Sequence, residues 1–253
     1  MDGSTGRSVR ILGCRVDDVT MAEAVARCDA LIASDRPADV ITPNAEIVMA
    51  TRRDDALRQS IERCALSIPD GAGLLLAGRI LGTPLREQVA GTDLCVELAA
   101  LAEKRGYSLF LLGGRAGVAE AAAGRLRAVH PTLRIVGVYS GDASPAGDAA
   151  ARHRIRAAGP VDILFVAFGA PRQEAWIARN QAELGVRLAI GCGGALDFIS
   201  GKVARAPRWV RRAGFDWLYR LIRQPWRWRR QRALPLFVVA VLMSAIRRRF
   251  ASP

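Results

Sequence analysis

Six short apolar runs, at residues 40–42, 66–69, 109–112, 135–138, 163–168 and 188–190, are separated by gaps that are each long enough to hold a helix. This alternation limits the chain more than any other feature. Strands joined by helices cannot pair as hairpins, because parallel neighbours need a crossover of a dozen or more residues. Local signals place helices in the gaps. Thr20-Met21-Ala22-Glu23 has the spacing of a capping box, and the alanine-rich stretch 117–130 ends at Pro131, which cannot continue a helix. The expected fold is α/β, a Rossmann-like doubly wound parallel sheet covered on both faces. In such a sheet a ligand binds at the carboxyl ends of the strands.

Polar and glycine clusters fall at those ends. Thr42-Pro43-Asn44 follows the first run, Pro69-Asp70-Gly71 the second, and Gly113-Gly114 the third. Gly169-Ala170-Pro171-Arg172-Gln173-Glu174 follows the fifth, and Gly191-Cys192-Gly193-Gly194, leading to Asp197, follows the sixth. Backbone N–H groups of Gly113 and Gly114, ahead of a helix, can meet a phosphate; a tight turn needing glycine is the competing reading. The run to Gly117 is not a clean GxGxxG, and the region near Arg134 offers no acid for a ribose hydroxyl, which argues against a nicotinamide oxidoreductase. Asp70 can serve as a general base, or it can cap a helix beginning near Gly73. Pro171 suits a first helical turn, Glu174 can sit there for dipole reasons alone, and Asp197 can cap a short helix. The chain has two histidines, His130 and His153, and no Asp-x-Asp. No metal and no cofactor are expected, and arginine would have to neutralise any diphosphate.

The arginines for that task are concentrated at one end. Of the 37 Lys/Arg and 24 Asp/Glu, 14 and one (Asp216) fall in residues 200–253, leaving 23 of each in residues 1–199. Four of the five tryptophans share that tail, which also holds Arg205, Arg220, Arg223, Arg227, Arg229 and Arg230. A neutral body, 1–199, with an Arg/Trp-rich helical appendage, 200–253, suits an anionic membrane surface. The apolar run 233–246 contains Pro235 and is shorter than the roughly 20 residues that cross a bilayer, so it reads as an interfacial segment. A helix packed on the body or on a second subunit is the alternative, which keeps a homo-oligomer open. The pI near 10.9 would also suit a nucleic-acid binder, but the charge is confined to a tail with an apolar stripe and no nucleic-acid module is visible. Five scattered cysteines without a CxxC pair, and a start without an apolar core, point to reduced thiols in the cytoplasm.

Taken together, these motifs resemble the WecG/TagA/CpsF glycosyltransferases, family 26. The resemblance runs through Ile11-Leu12-Gly13, Thr42-Pro43-Asn44, Pro69-Asp70-Gly71, Val89-Ala90-Gly91-Thr92-Asp93-Leu94 and Leu111-Leu112-Gly113-Gly114. It continues through Asp162 to Ala167, Gly169 to Glu174, Gly193-Gly194-Ala195-Leu196-Asp197, Arg205-Ala206-Pro207 and Asp216-Trp217-Leu218-Tyr219-Arg220-Leu221. It implies a metal-independent, inverting transfer of a hexose or N-acetylhexosamine-type sugar from a UDP-sugar to a polyprenyl-diphosphate-linked sugar, in bacterial surface polysaccharide biosynthesis. It also implies a peripheral place on the cytoplasmic face of the inner membrane. Asp70 would be the base. Thr42, Asn44 and Gln173 would line the pocket, and Gly71, Asp93, Gly113, Gly114, Gly169, Pro171, Glu174, Gly194 and Asp197 belong to the same substrate-binding set. Arg220 and Arg227 would meet the diphosphate from the tail. The chain differs from the family pattern at Gln88, where Arg is common, with Arg86 two residues away, and at Asp216, where Glu is usual. On this reading the body folds without the tail, and the tail carries membrane binding.

Overall fold

The computed structural model describes residues 6–34, 36–207, 210, 216–223, 228 and 232–251. It opens with a hairpin of β1 (Ser8–Ile11) and β2 (Cys14–Asp17), paired antiparallel with Ile11 opposite Cys14. The sequence reading lacks this hairpin. Its two-residue turn is Leu12-Gly13, with φ of 51° and 87°, instead of the Asn-Gly or Asp-Gly that usually announces two left-handed residues.

The remaining elements alternate. In order they are α1 (Met21–Ala33), β3 (Ala38–Ile41), α2 (Ala45–Thr51), α3 (Asp55–Arg63), β4 (Leu66–Ser67) and α4 (Ala72–Ile80). Then come α5 (Gly91–Arg105), β5 (Ser108–Gly113), α6 (Val118–Val129), β6 (Arg134–Tyr139), α7 (Pro145–Ala157) and β7 (Ile163–Ala167). The described chain closes with α8 (Arg172–Leu184), β8 (Leu188–Gly191), α9 (Ala195–Ile199), α10 (Asp216–Arg223) and α11 (Ala233–Ala251). The six apolar runs are the six strands of one parallel sheet, in the order β4-β3-β8-β7-β5-β6. Strands buried on both faces read as unbroken apolar runs, which is why they were visible in the sequence. The capping box also forms: the Thr20 N–H donates to Glu23 Oε2 at 3.0 Å, and the Glu23 N–H donates to Thr20 Oγ1 at 3.3 Å.

Three apolar clusters hold the layers together. One face of the sheet, through Leu111, Phe165 and Ile190, packs under α1, α5, α6 and α9. The other, through Phe110, Leu164 and Val166, packs under α7 and α8 around the fully buried Trp176. The third cluster gathers the hairpin, α2, α3, α4 and α11, where Phe237 and Val241 are buried among Val48, Leu74 and Ala77. Another side of α11 is not covered: Leu236, Val238, Val239, Leu242, Met243 and Ile246 are all exposed. Among the described residues, no helix is long and apolar enough to cross a membrane.

The sheet order fixes where a ligand can enter. The chain leaves β5 toward β6 and leaves β7 toward β8, in opposite directions, so the switch point at which sheets of this kind bind ligands lies between the carboxyl ends of β5 and β7. Gly113 sits at that point with φ of 100°, and a Cβ there would lie 2.7 Å from the backbone carbon of Ala167. Only glycine permits so close an approach.

Candidate active site

The strand-end clusters read from the sequence lie side by side along the mouth of the sheet, and hydrogen bonds join them in strand order. From β4 to β3, the Asp70 N–H donates to Pro43 O at 2.9 Å. From β3 to β8, buried Thr42 donates its hydroxyl to Gly191 O at 3.3 Å. From β8 to β7, Gln173 Oε1 accepts the N–H of Gly193 at 2.9 Å and that of Gly169 at 3.0 Å. From β7 to β5, the Gly114 N–H donates to Ala167 O at 3.0 Å. Each loop of the mouth is thereby fixed to its neighbour.

Asp70 is half-buried, one residue ahead of Gly71, which is the N-cap of α4 with φ of 105°. The helix therefore starts at Ala72, and Asp70 does not hold the N-cap position that the competing reading gave it. Its loop is also tied to the segment before α5, because the Val89 N–H donates to Pro69 O at 2.9 Å. Beneath lies a pair of buried thiols. Cys95 is held well above its ordinary pKa by its hydrogen bond to Cys192 and by burial, with the charge of Asp70 contributing.

Asn44 caps α2, its Oδ1 accepting the Ile47 N–H at 3.0 Å. Gly91 starts α5 against Thr42, where an added Cβ would come 3.1 Å from Thr42 Cγ2. Asp93, in the first turn of α5, forms an ion pair with Arg205, which lies between α9 and α10. Next to it Ala206 is buried, so the start of the tail is fastened to α5 beside the mouth. Gly194 is the N-cap of α9; Asp197 lies in its first turn, and its carbonyl accepts the Val203 N–H at 3.1 Å. Pro171 is the N-cap of α8 and so stands just before the helix instead of inside its first turn. Arg227, and the side chain of Arg220, lie outside the described residues. Arg86 does not stand in for a charge at Gln88. Its guanidinium is turned to Glu23 at 2.9 and 2.6 Å and to Asp18 O at 2.6 Å, bracing its loop against α1.

Gln173 and Glu174 are both buried, and Gln173 Nε2 donates to Glu174 Oε1 at 2.9 Å. A Cβ on Gly191 would approach Gln173 Nε2 to 2.8 Å, so that glycine makes room for the amide. Sequence reasoning found both residues but not the crosslinking of two glycine turns, because the turns lie 24 residues apart in the chain, from Gly169 to Gly193. Gln173→Leu removes the one acceptor, Oε1, that the half-buried N–H groups of Gly169 and Gly193 share. It should cost about 2–4 kcal/mol in urea unfolding, the lower part of the range for two groups at about 1–3 kcal/mol each because both are half-buried, and lower kcat as the turns loosen.

Residues 9–251 match the family described as Glycosyl transferase WecG/TagA/CpsF. The chain belongs to this glycosyltransferase family. The match runs from the first strand of the hairpin to the last residue of α11, so the membership covers the sheet, its mouth and the C-terminal helix together. Among similar proteins is the N-acetylglucosaminyldiphosphoundecaprenol N-acetyl-beta-D-mannosaminyltransferase of Bacillus subtilis (strain 168), 33% identical over 203 residues, which cover 80% of this chain and 78% of the relative. The protein of the same name from Staphylococcus aureus (strain MW2) is 28% identical over 240 residues, covering 94% of this chain and 93% of the relative. Among the described residues, no group of three His, Cys, Asp or Glu side chains is placed to hold a metal ion.

Proposed function

We propose that this chain moves an N-acetylhexosamine-type sugar from a UDP-sugar to a sugar carried on a polyprenyl diphosphate, with inversion at the anomeric carbon. The observation that carries the reading is the joined mouth: one carboxylate, Asp70, stands on a loop pinned to the same edge as the glycine turns of β5, β7 and β8. The names of the relatives point to N-acetylmannosamine as the transferred unit and to a diphosphoundecaprenol-linked N-acetylglucosamine as acceptor.

Asp70 takes the proton of the acceptor hydroxyl while its oxygen attacks the anomeric carbon. The bond from that carbon to the UDP oxygen breaks on the opposite face, and UDP leaves with the bonding pair. Its diphosphate gains negative charge, which the N–H groups at the glycine turns can meet together with tail arginines, Arg220 and Arg227 being assigned that role. The lipid acceptor and the exposed apolar side of α11 support a peripheral position on the membrane that carries the substrate. The match to a glycosyltransferase family leaves the nucleic-acid reading without support.

The test is a panel of radiolabelled UDP-sugars offered with a short-chain prenyl-diphosphate-linked N-acetylglucosamine, with EDTA present throughout. Transfer from UDP-N-acetylmannosamine, undiminished by EDTA and giving the inverted anomer, is the expected result. Transfer that stops on chelation, or a product of retained configuration, would overturn the mechanism.

A further inference from the structure

A second feature of the surface lies away from the mouth. Between α2, α11 and the tip of the hairpin runs an open groove of about 520 Å³, inside the roughly 300–1,000 Å³ range of small-ligand sites. Its walls are Leu12, Met49, Val239 and Met243. On α11, Leu236, Val239, Met243 and Arg247 follow at spacings of three and four, so one stripe of the helix faces the groove. The same helix buries Phe237 and Val241 against the body, and that fixes which stripe is left open. Leu236, Val239 and Met243 are each about half exposed, at 54%, 54% and 51%. Apolar exposure of this kind on a folded domain marks a docking surface.

The rim decides what docks. Arg52 and Arg53, at the end of α2, and Arg247 line the groove, and among the described residues no acid does. An apolar floor with a purely cationic rim fits a molecule having a hydrocarbon chain and a phosphate. The seven residues of α2, about 10 Å of helix, separate this rim from Asn44 at the mouth, so the groove opens at the other end of that helix. Leu12 supports the assignment. A leucine with φ of 51° occupies a backbone region that disfavours side chains, and it carries its apolar side chain into this groove.

We infer that the α2–α11 groove binds an anionic phospholipid, with an acyl chain along Met49, Val239 and Met243 and the headgroup phosphate held by Arg52, Arg53 and Arg247. The inference rests on the reading that the protein works at a membrane surface. It adds a discrete lipid site at the seam between the body, through α2 and the hairpin, and the last helix of the tail. A headgroup bound there sets the height and tilt at which the mouth meets the bilayer.

The test uses the full chain, without donor or acceptor, so its outcome is independent of the transfer reaction. A short-chain phosphatidylglycerol, kept below its micellar concentration, is titrated by calorimetry, beside phosphatidylcholine of the same chain length and glycerophosphoglycerol without chains. One saturable site for phosphatidylglycerol is expected, with binding at least about tenfold weaker for phosphatidylcholine and none for the chainless headgroup. Arg52→Glu with Arg53→Glu should weaken phosphatidylglycerol binding roughly 30-fold or more, as about 1 kcal/mol per arginine at an anionic surface implies. Both arginines are exposed, so the double variant should melt with the wild type. It should also keep its turnover on the short prenyl acceptor in the absence of lipid. Equal binding of the two lipids, equal binding of the bare headgroup, or an unaffected double variant would overturn the inference. Loss of that lipid-free turnover would overturn it too, and would give the groove to the acceptor's prenyl chain.

Discussion

Asp70→Asn is expected to slow sugar transfer by about 10² to 10⁴, the range for losing a positioned general base. The substitution keeps the shape of the side chain and removes only its ability to take a proton. The backbone bond from Asp70 to Pro43 is untouched by it, and the N-cap of α4 is Gly71, so neither the β3–β4 join nor the helix start should suffer. Thermal melting should stay within a degree or two, and the KM for the UDP-sugar should change far less than kcat. Initial rates with donor and soluble acceptor, set beside a circular-dichroism melt, separate these quantities. A variant with near-normal turnover would take the base role away from Asp70. One with lost turnover and a collapsed melt would make the residue structural. Gln173→Leu offers the contrast, since there the fall in kcat should come with a fall in stability.

How far the sequence anticipates this site depends on what kind of contact builds it. Strands show because a parallel sheet buried on both faces needs runs such as Leu109–Leu112, and the glycine clusters show because they stand directly after those runs. The bonds that join the clusters do not show. Thr42 and Gly191 are 149 residues apart, and most of the joining partners are backbone atoms, which any residue supplies. The hairpin escapes for a local reason, its Leu12-Gly13 turn being an unusual choice for two left-handed positions. Arg86 and Asp93 show a further limit. Both read as charges near the chemistry, yet Arg86 braces α1 through Glu23, and Asp93 holds Arg205 at the root of the tail. A charge pattern along the chain does not say whether a charge faces a ligand or another side chain. For the run 233–246 the packed-helix reading holds on one side of a single helix, and the other side is exposed.

That packing changes what deleting the tail should do. Read from charge alone, residues 1–199 form a neutral body that folds unaided. In the structure, Phe237 and Val241 are 3% and 1% exposed in the cluster that also holds Ile47, Val48 and Leu74. A chain ending at Ile199 would bare those side chains on α2 and α4. It should be recovered in low soluble yield, melt early, and fail to sediment with anionic vesicles. The truncation alone cannot separate lost packing from lost membrane contact, but Phe237→Ala can. It should cost about 3–5 kcal/mol, the usual penalty for emptying a buried phenylalanine site. In a domain of this size that lowers Tm by roughly 6–20 °C, at about 2–4 °C per kcal/mol. All the arginines and the exposed apolar stripe remain, so vesicle binding below the new Tm should persist. A Tm unchanged by Phe237→Ala would mean that α11 rests on the body without stabilising it, and the tail would then be an independent anchor. A large fall in Tm with vesicle binding intact would make α11 part of the body's core on one side and a membrane face on the other, so that docking at the membrane and the shape of α2, which begins at Asn44 in the mouth, are mechanically linked.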